Sequence, residues 1–536
     1  MKMVEKKEDE FSMEKVIAEF EQLSRDAAAV QRETLRRILA SNAAAEYLQR
    51  LGLARRTDPD SFRACVPLAT HAGFEPYIAR IADGDTSPVL TATPVTSISL
   101  SSGTTQGKRK YLLFNDEIFK SAMQTYQTSF AFRNRAFPVE DGKLLQFIYA
   151  SKQFTTKGGL TATTATTNLY NKEEFKTKMR SIQLDSCSPP EVVFCPGFSE
   201  SLYCHLLCGL LLSGEVRTVS ATFAHSVVLA FETFEHVWEE LCADIRHGAP
   251  SPARVTSPTV RRDVSALLAA PNPALADKVA RKCAELRRDC WYGVIPALWP
   301  NAKYVKKLRH YAGGLPLVAT DYGASEGMIG ANVEPETLPE SATFAVLPNI
   351  GYFEFIPLKT SNAGAGADDA CCTEAEPVGL TDVIVGENYE VVMTTFTGDV
   401  VKVDGFYNYT PKLKIIGRRN LTLSINVDKN TEKDVQLAVD GATKILAAEG
   451  LEVMDYTSYA DLSTNPGHYI VFWSSTMTSL VMASYRAAAM SWIGALSTPD
   501  IWARDKHVPS GHYSCGCSGG APLRRLCTTT SPSVRQ

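Results

Sequence analysis

The sequence of 536 residues lacks any uninterrupted apolar run of the ~18 residues that a membrane-spanning helix needs. Its first ten residues are rich in Lys and Glu and hold neither an apolar stretch nor a small-residue cleavage site, so they do not read as a secretory leader. Positive charge is not in excess: the formal net charge is -4 and the basic cluster Lys108, Arg109, Lys110 is short, which argues against a nucleic-acid partner. That cluster reads instead as a loop beside a phosphate site or as a solvated patch. The thirteen cysteines show no zinc framework. Cys204 and Cys208 lie beside His205, and Cys515 and Cys517 lie near His512, but neither group has a second ligand pair at zinc spacing. A reduced cytoplasmic protein with buried thiols is expected.

What is present is ordinary globular composition, 45% hydrophobic and 21% charged. The length exceeds one domain of about 100–200 residues, so a large domain and a smaller one are expected. Val16, Ile17, Phe20 and Leu23, and then Leu35, Ile38 and Leu39, fall on helix faces between residues 12 and 52. Val95 to Leu100 reads as a strand feeding a Ser/Gly/Thr loop, and Asp116 to Phe132 as a helix. Leu144 to Ala150 reads as a short buried strand and residues 200 to 213 as a core helix. The stripe Val227, Phe231, Phe234, Trp238, Leu241 is a second buried helix face. Leu315 to Thr320, Phe344 to Leu347, Tyr352 to Ile356, Tyr389 to Thr395, Val400 to Val403 and Leu413 to Ile416 are β-like. Residues 359–376 read as a loop, 431–449 as a helix and 451–473 as strand, loop and strand. Strands and helices alternate, so the fold class is α/β.

Three segments can carry chemistry. Ser101-Ser102-Gly103-Thr104-Thr105-Gln106-Gly107-Lys108 follows a strand, and its hydroxyls and glycines suit a loop that wraps phosphate oxygens. It is not a Walker A loop, because three residues rather than four separate the glycines and Arg109 follows Lys108. An ordinary turn is the competing reading. Asp321-Tyr322-Gly323-Ala324-Ser325-Glu326-Gly327 ends a strand, where open α/β sheets hold ligands. Glu326 could hold Mg²⁺ on a triphosphate and Tyr322 could stack on a base; a polar loop with a helix-terminal carboxylate is the alternative. Gly398-Asp399-Val400-Val401 places an acid on a turn, where it could accept from ribose hydroxyls, although such turns are common.

Together and in this order, the three segments have the arrangement of adenylate-forming enzymes. The stretches ISLSSGTTQGKRKYLLFNDE, KGGLTATTATTNLY, DYGASEG, FAVLPNIGYFEF, GFYNYTPKLK and RRNLTLSINVDKNTEKDVQLAV resemble the auxin-responsive acyl acid amido synthetases of plants, over roughly residues 11 to 473. Within that family the resemblance is nearest to the jasmonate–amino acid synthetase branch. It implies a large N-terminal adenylation domain of mixed sheets and helices (11–419) after a charged N-terminus (1–10). A smaller, shortened α/β C-terminal domain would begin at 420–473; the tail 474–536, rich in Ser, Gly, Cys, Arg and Thr toward its end and weakly periodic, reads as partly disordered or as a divergent ending. It implies ATP and Mg²⁺ as cofactors and a hormone carboxylic acid and an amino acid as substrates, in a cytoplasmic monomer. Ser99, Ser102, Gly103, Thr104, Asn168, Tyr322, Gly323, Glu326 and Asp399 would meet the nucleotide. Glu326 would hold the metal, with Ser325 beside it in the catalytic centre. Thr163, Thr164, Ala165, Thr166 and Thr167 would face the amino acid and nucleotide. Ile118, Ala122 and Tyr126, at every fourth position of one helix, would line the acyl pocket with Thr320, Asp321 and Met328. Plain core packing is the competing reading for that helix face.

The chain departs from the family pattern. Val305 runs directly into Lys306-Lys307-Leu308-Arg309, and Thr394–Gly398 directly into Asp399, each without intervening family residues. Thr320 and Met328 stand where the branch carries histidine and tryptophan, and no tail lysine matches the family's catalytic one. Two other readings stay open: an acyl-CoA ligase, against which TATTATTN counts, and an inactive paralogue that keeps the ligand pocket.

Overall fold

The computed structural model describes residues 11–286, 295–296, 302–358, 376–394 and 399–418, except positions 54, 106–107, 140 and 325. Beyond these it describes the segments 422–425, 428–431, 453–461, 468–475, 511–512, 524–527 and 531–532 and the single residue 443. The chain forms two units, Met1–Gly417 and Arg418–Gln536. Elements mix helices with parallel and antiparallel sheets, an α/β architecture.

In the first unit, Lys143–Phe147 lies parallel between Asp185–Ser186 and Val216–Ala221. Leu145, Phe147 and Val219 are buried there, as parallel strands covered on both faces require. Against them pack Phe198–Leu211, buried on nearly every side, and Ala224–His247. The strand Lys143–Phe147 and the two helices fall in stretches expected from apolar runs and the aromatic stripe; the strands Asp185–Ser186 and Val216–Ala221 carry no such signal.

A four-stranded sheet has the order Lys108–Phe114, Ser97–Thr105, Thr161–Thr164, Phe154–Thr155. Here the expectation of a strand feeding a loop is corrected. The strand does not stop at Leu100; it continues to Thr105 and turns back into Lys108–Phe114, with a register break between Leu100 and Thr104. Ladder hydrogen bonds from a partner only about ten residues away outweigh the turn preference of Ser and Gly. The basic cluster therefore starts a strand.

The eight-stranded sheet runs in the order 321–324, 327–331, 344–346, 410–418, 399–407, 388–393, 353–357, 378–379. Asp321–Ala324 and Gly327–Ala331 form an antiparallel hairpin, so the Asp-Tyr-Gly-Ala segment is itself a strand rather than a loop. Asn408, at φ 52°, joins Asp399–Tyr407 to Thr410–Arg418. Asn tolerates that left-handed conformation. The hairpin tip is tied to the first helix, Met13–Arg25, by Asn408 Nδ2 to Ser24 Oγ at 2.8 Å.

The Val305–Lys306 junction falls inside one helix, Ala302–Ala312, with Val305 and Leu308 buried. In the second unit, Val453–Asp461 pairs with His468–Ser475, which pairs with Arg524–Cys527. The expected loop at 359–376 falls, up to residue 375, outside the described residues, as does the expected helix at 431–449 apart from the helical residue 443. No described helix is long and apolar enough to cross a membrane.

Candidate active site

The strand carrying Ser99 runs parallel to Thr161–Thr164, with Ser99 opposite Thr163 and Leu100 opposite Thr164. Thr164 then caps the helix Ala165–Tyr170, accepting from the Thr167 amide. A hydroxyl at that position satisfies one of the helix's orphan N–H groups. Thr164 Oγ1 and Thr167 Oγ1 share a hydrogen bond at 2.9 Å, and Thr167 Oγ1 accepts from the Ser151 amide at 2.9 Å. One turn on, buried Asn168 donates to Ile98 O at 3.1 Å and to Ser99 Oγ at 3.0 Å. The structure thus brings Ser99, Thr163, Thr164, Thr167 and Asn168 together. Thr163, Thr167 and Asn168 are buried and spend their hydrogen bonds on the protein. Ala165 and Thr166, in the first turn of the helix, are partly exposed. Ser102, Gly103 and Thr104 continue the Ser99 strand through its register break.

A pair of glycines fixes the entry to this segment. Gly158 donates its amide to Ala82 O at 2.9 Å, and a Cβ on Gly158 would stand 2.3 Å from Gly84 N. Only a residue without Cβ permits that approach.

The helix Asp116–Ala136 begins at Asn115, whose side chain accepts from the amides of Glu117 and Ile118. Ile118, Ala122 and Tyr126 share one face, as the spacing requires. Ala122 is buried; Ile118, Tyr126, Tyr170 and Met328 pack on the cluster around Phe119, Met123 and Leu169. The face continues to Phe130 and Arg133, a residue that the spacing argument reaches when extended by two turns. The Arg133 guanidinium lies 4.2 Å over the Phe130 ring, and burial lowers its pKa to about 10. The opposite helix face lines a cleft of about 660 Å³ with Leu23, Arg37, Glu117, Lys120, Gln124 and Asn349. None of the expected site residues lines it.

The 321–331 hairpin packs against this helix. Thr320 Oγ1 donates to Asp321 Oδ1 at 2.6 Å. Burial raises the Asp321 carboxyl to about 7, with the Thr320 hydrogen bond and the Arg133 charge acting the other way. Burial likewise raises the Tyr126 hydroxyl, and the nearby Asp321 charge adds to it. Gly323 makes room for Met328, whose Sδ would lie 2.6 Å from a Cβ there.

Tyr322 corrects an expectation. Its side chain is 0% exposed and its ring packs 5.8 Å from Phe344, so it offers no free face to a base in this conformation. It sits on a hairpin strand covered by packing, not on an open loop. Glu326, at the hairpin turn, is half-buried. Ser325 lies outside the described residues, and Asp399 starts the strand Asp399–Tyr407. Among the described residues, no group of three or more His, Cys, Asp or Glu could hold a metal by itself. Glu326 at the turn fits Mg²⁺, which binds through one or two carboxylates plus substrate phosphates and waters.

Sequence reasoning missed Phe223. It follows the parallel strand Val216–Ala221 directly and is 57% exposed at that strand's carboxyl end, the side where α/β sheets take ligands.

Comparison with known proteins follows the same lines. The GH3 family N-terminal domain matches residues 16–317, the central domain 344–418 and the C-terminal domain 433–486. The Asp321–Gly327 segment lies between the first two matches. A protein of Oryza sativa subsp. japonica named "Probable indole-3-acetic acid-amido synthetase" is 61% identical over 88% of this chain and 82% of its own length. A jasmonoyl–L-amino acid synthetase of Nicotiana attenuata is 56% identical over 88% of this chain and 83% of its own. A solved acyl acid amido synthetase superposes with a TM-score of 0.75 at 29% identity, covering 94% of this chain and 88% of that one. The chain belongs to the GH3 family, the acyl acid amido synthetases that its motifs resemble.

Proposed function

We propose that the chain is an ATP-dependent amido synthetase that joins a hormone carboxylic acid, jasmonate or indole-3-acetate, to an amino acid. The observation that carries this reading is identity of 56–61% to proteins named for those two conjugations, over 82–83% of their length. In the first step a carboxylate oxygen attacks the α-phosphorus of ATP and pyrophosphate leaves. In the second the amino acid nitrogen attacks the acyl carbon, loses a proton, and AMP leaves. Ser99, Ser102, Gly103 and Thr104 would hold phosphate or carboxylate oxygens, and Asp399 the ribose. Bound Mg²⁺ would neutralise phosphate charge, held by Glu326 with Ser325 beside it. The threonines from Thr163 to Thr167 and Asn168 position the strand that faces the nucleotide and amino acid. Ile118, Ala122, Tyr126, Thr320, Asp321 and Met328 form the acyl pocket, and exposed Phe223 is a further contact for an apolar acid. What the protein adds is alignment and charge stabilisation. We place the chain in the cytoplasm as a monomer.

A second reading is a catalytically impaired relative that keeps the pocket. The direct run of Thr394–Gly398 into Asp399 and the lack of a tail lysine at the family's catalytic place favour it. Acid-dependent ATP–pyrophosphate exchange on folded protein separates the two: exchange supports the enzyme, and none from folded protein supports the impaired relative.

A further inference from the structure

Four residues past the parallel strand Lys143–Phe147, Ser151 meets the threonine segment with all three of its polar groups. Its amide donates to Thr167 Oγ1 at 2.9 Å. Its carbonyl accepts from Thr163 Oγ1 at 3.4 Å, and the Lys152 carbonyl accepts from the same hydroxyl at 3.4 Å. Its hydroxyl oxygen accepts from Thr164 Oγ1 at 3.3 Å. The chain leading to it is anchored as well: the Ala150 amide donates to Val193 O at 2.9 Å, and buried His205 holds Ile148 O at 3.0 Å.

These bonds fix where the protons point. An amide only donates, so Thr167 Oγ1 accepts from Ser151 and keeps one proton to give. Thr164 gives its single proton to Ser151 Oγ, so in the 2.9 Å pair of Thr164 with Thr167 the Thr167 hydroxyl is the donor. The chain runs from Ser151 N–H through Thr167 and Thr164 to Ser151 Oγ, and one proton is left over. The Ser151 hydroxyl has no acceptor among the described residues, and Ser151 is half-buried rather than sealed. Hydrogen bonds in series polarise one another, which makes the last donor a strong one and suits it to a charged acceptor. The next residue, Lys152, is exposed and among the described residues pairs with no carboxylate. We propose that Ser151 is a substrate contact, its hydroxyl donating to an anionic oxygen of a reactant: the carboxylate of the amino acid or a phosphate of ATP. The inference rests on the amido synthetase reading and adds to it a residue that neither the motifs nor the threonine pattern marks.

The test is steady-state kinetics of the full-length chain in two assays. Acid-dependent ATP–pyrophosphate exchange needs no amino acid, whereas conjugate formation does. Ser151→Ala removes the hydroxyl and leaves the amide and carbonyl bonds to Thr167 and Thr163 in place. It should raise one KM about tenfold, the loss of a hydrogen bond to a charged group. The KM that moves names the oxygen: that of the amino acid for its carboxylate, that of ATP in exchange for a phosphate. The other KM should stay within about twofold, on the scale of an effect outside the contact. Ser151→Thr restores the hydroxyl and should bring the raised KM back toward wild type. Ser151→Cys, close in size but a weak donor, should reproduce the rise and serves in place of the alanine variant if that one does not fold. Unmoved KM values in the alanine or cysteine variant, or a fall in kcat alone that threonine does not restore, would overturn the proposal and leave the enzyme reading standing. Neither exchange nor conjugate from folded wild type would instead sink the amido synthetase reading, and the inference with it.

Discussion

Asn168 donates one N–H to Ser99 Oγ and the other to Ile98 O, tying the helix that follows the threonine segment to the strand that leads into the Ser/Gly/Thr stretch. Two segments of the expected nucleotide site are thereby held by a single buried amide. Asn168→Ala should leave both acceptors unpaired and destabilise the first unit by about 1–3 kcal/mol. Asn168→Asp, which keeps shape but replaces donors with an acceptor, should cost at least as much. Urea unfolding of the two variants checks this; an unchanged midpoint for Asn168→Asp would refute the tie.

Asp321 and His205 give opposite pH dependences. Asp321 lies at about 7 when folded against an ordinary 3.8, so the folded chain keeps that proton longer and stability falls as pH rises between those values. The full effect is about 4 kcal/mol. His205 is held by Ser188 Oγ at 2.7 Å and Ile148 O at 3.0 Å, and burial lowers it to about 4 from an ordinary 6.5. There the unfolded chain takes the proton first, and stability falls as pH drops through that interval. The two largely cancel. Asp321→Asn should unmask the histidine, so that the variant gains on wild type steadily from pH 4 to 7. Denaturant midpoints measured across that range test it; a constant difference would show that Asp321 ionises normally.

Gly158→Ala puts a methyl group against Gly84 backbone, where nothing flexible can yield. A loss of about 1–3 kcal/mol is expected. Because this contact sets the entry to the threonine segment, KM for the amino acid should rise as well. Gly159→Ala, with open space around its Cβ but φ of 87°, should cost stability through backbone strain without that KM change. Equal KM values in both variants would count against the positioning role.

Glu326→Gln removes the carboxylate assigned to Mg²⁺ while keeping size. The first half-reaction should fall by about 10²-fold or more. Exchange activity at wild-type level would remove Glu326 from the site.

How much of this was legible in the sequence depended on the range of the forces involved. The Asp116–Ala136 helix and the Ala224–His247 stripe follow from local periodicity, and both form. The strand Lys108–Phe114 was hidden because Lys-Arg-Lys carries no apolar alternation at its start; only pairing with Ser97–Thr105 makes it a strand. The hydroxyl-rich motif was visible as chemistry, but its internal wiring through Asn168 spans 69 positions and leaves no local trace. Tyr322 was misread as an available ring because burial on a strand depends on what covers it, here Phe344. Arg133 was within reach, since it lies on the same helix face as Tyr126. Phe223 gave no pattern beyond one aromatic residue after a strand.

The measurement that bears most directly on the account is acid-dependent ATP–pyrophosphate exchange by purified, folded protein, with jasmonate and indole-3-acetate compared side by side. The account predicts pyrophosphate exchange that depends on an added acid. Folded protein that binds these acids yet exchanges no pyrophosphate with either would contradict it.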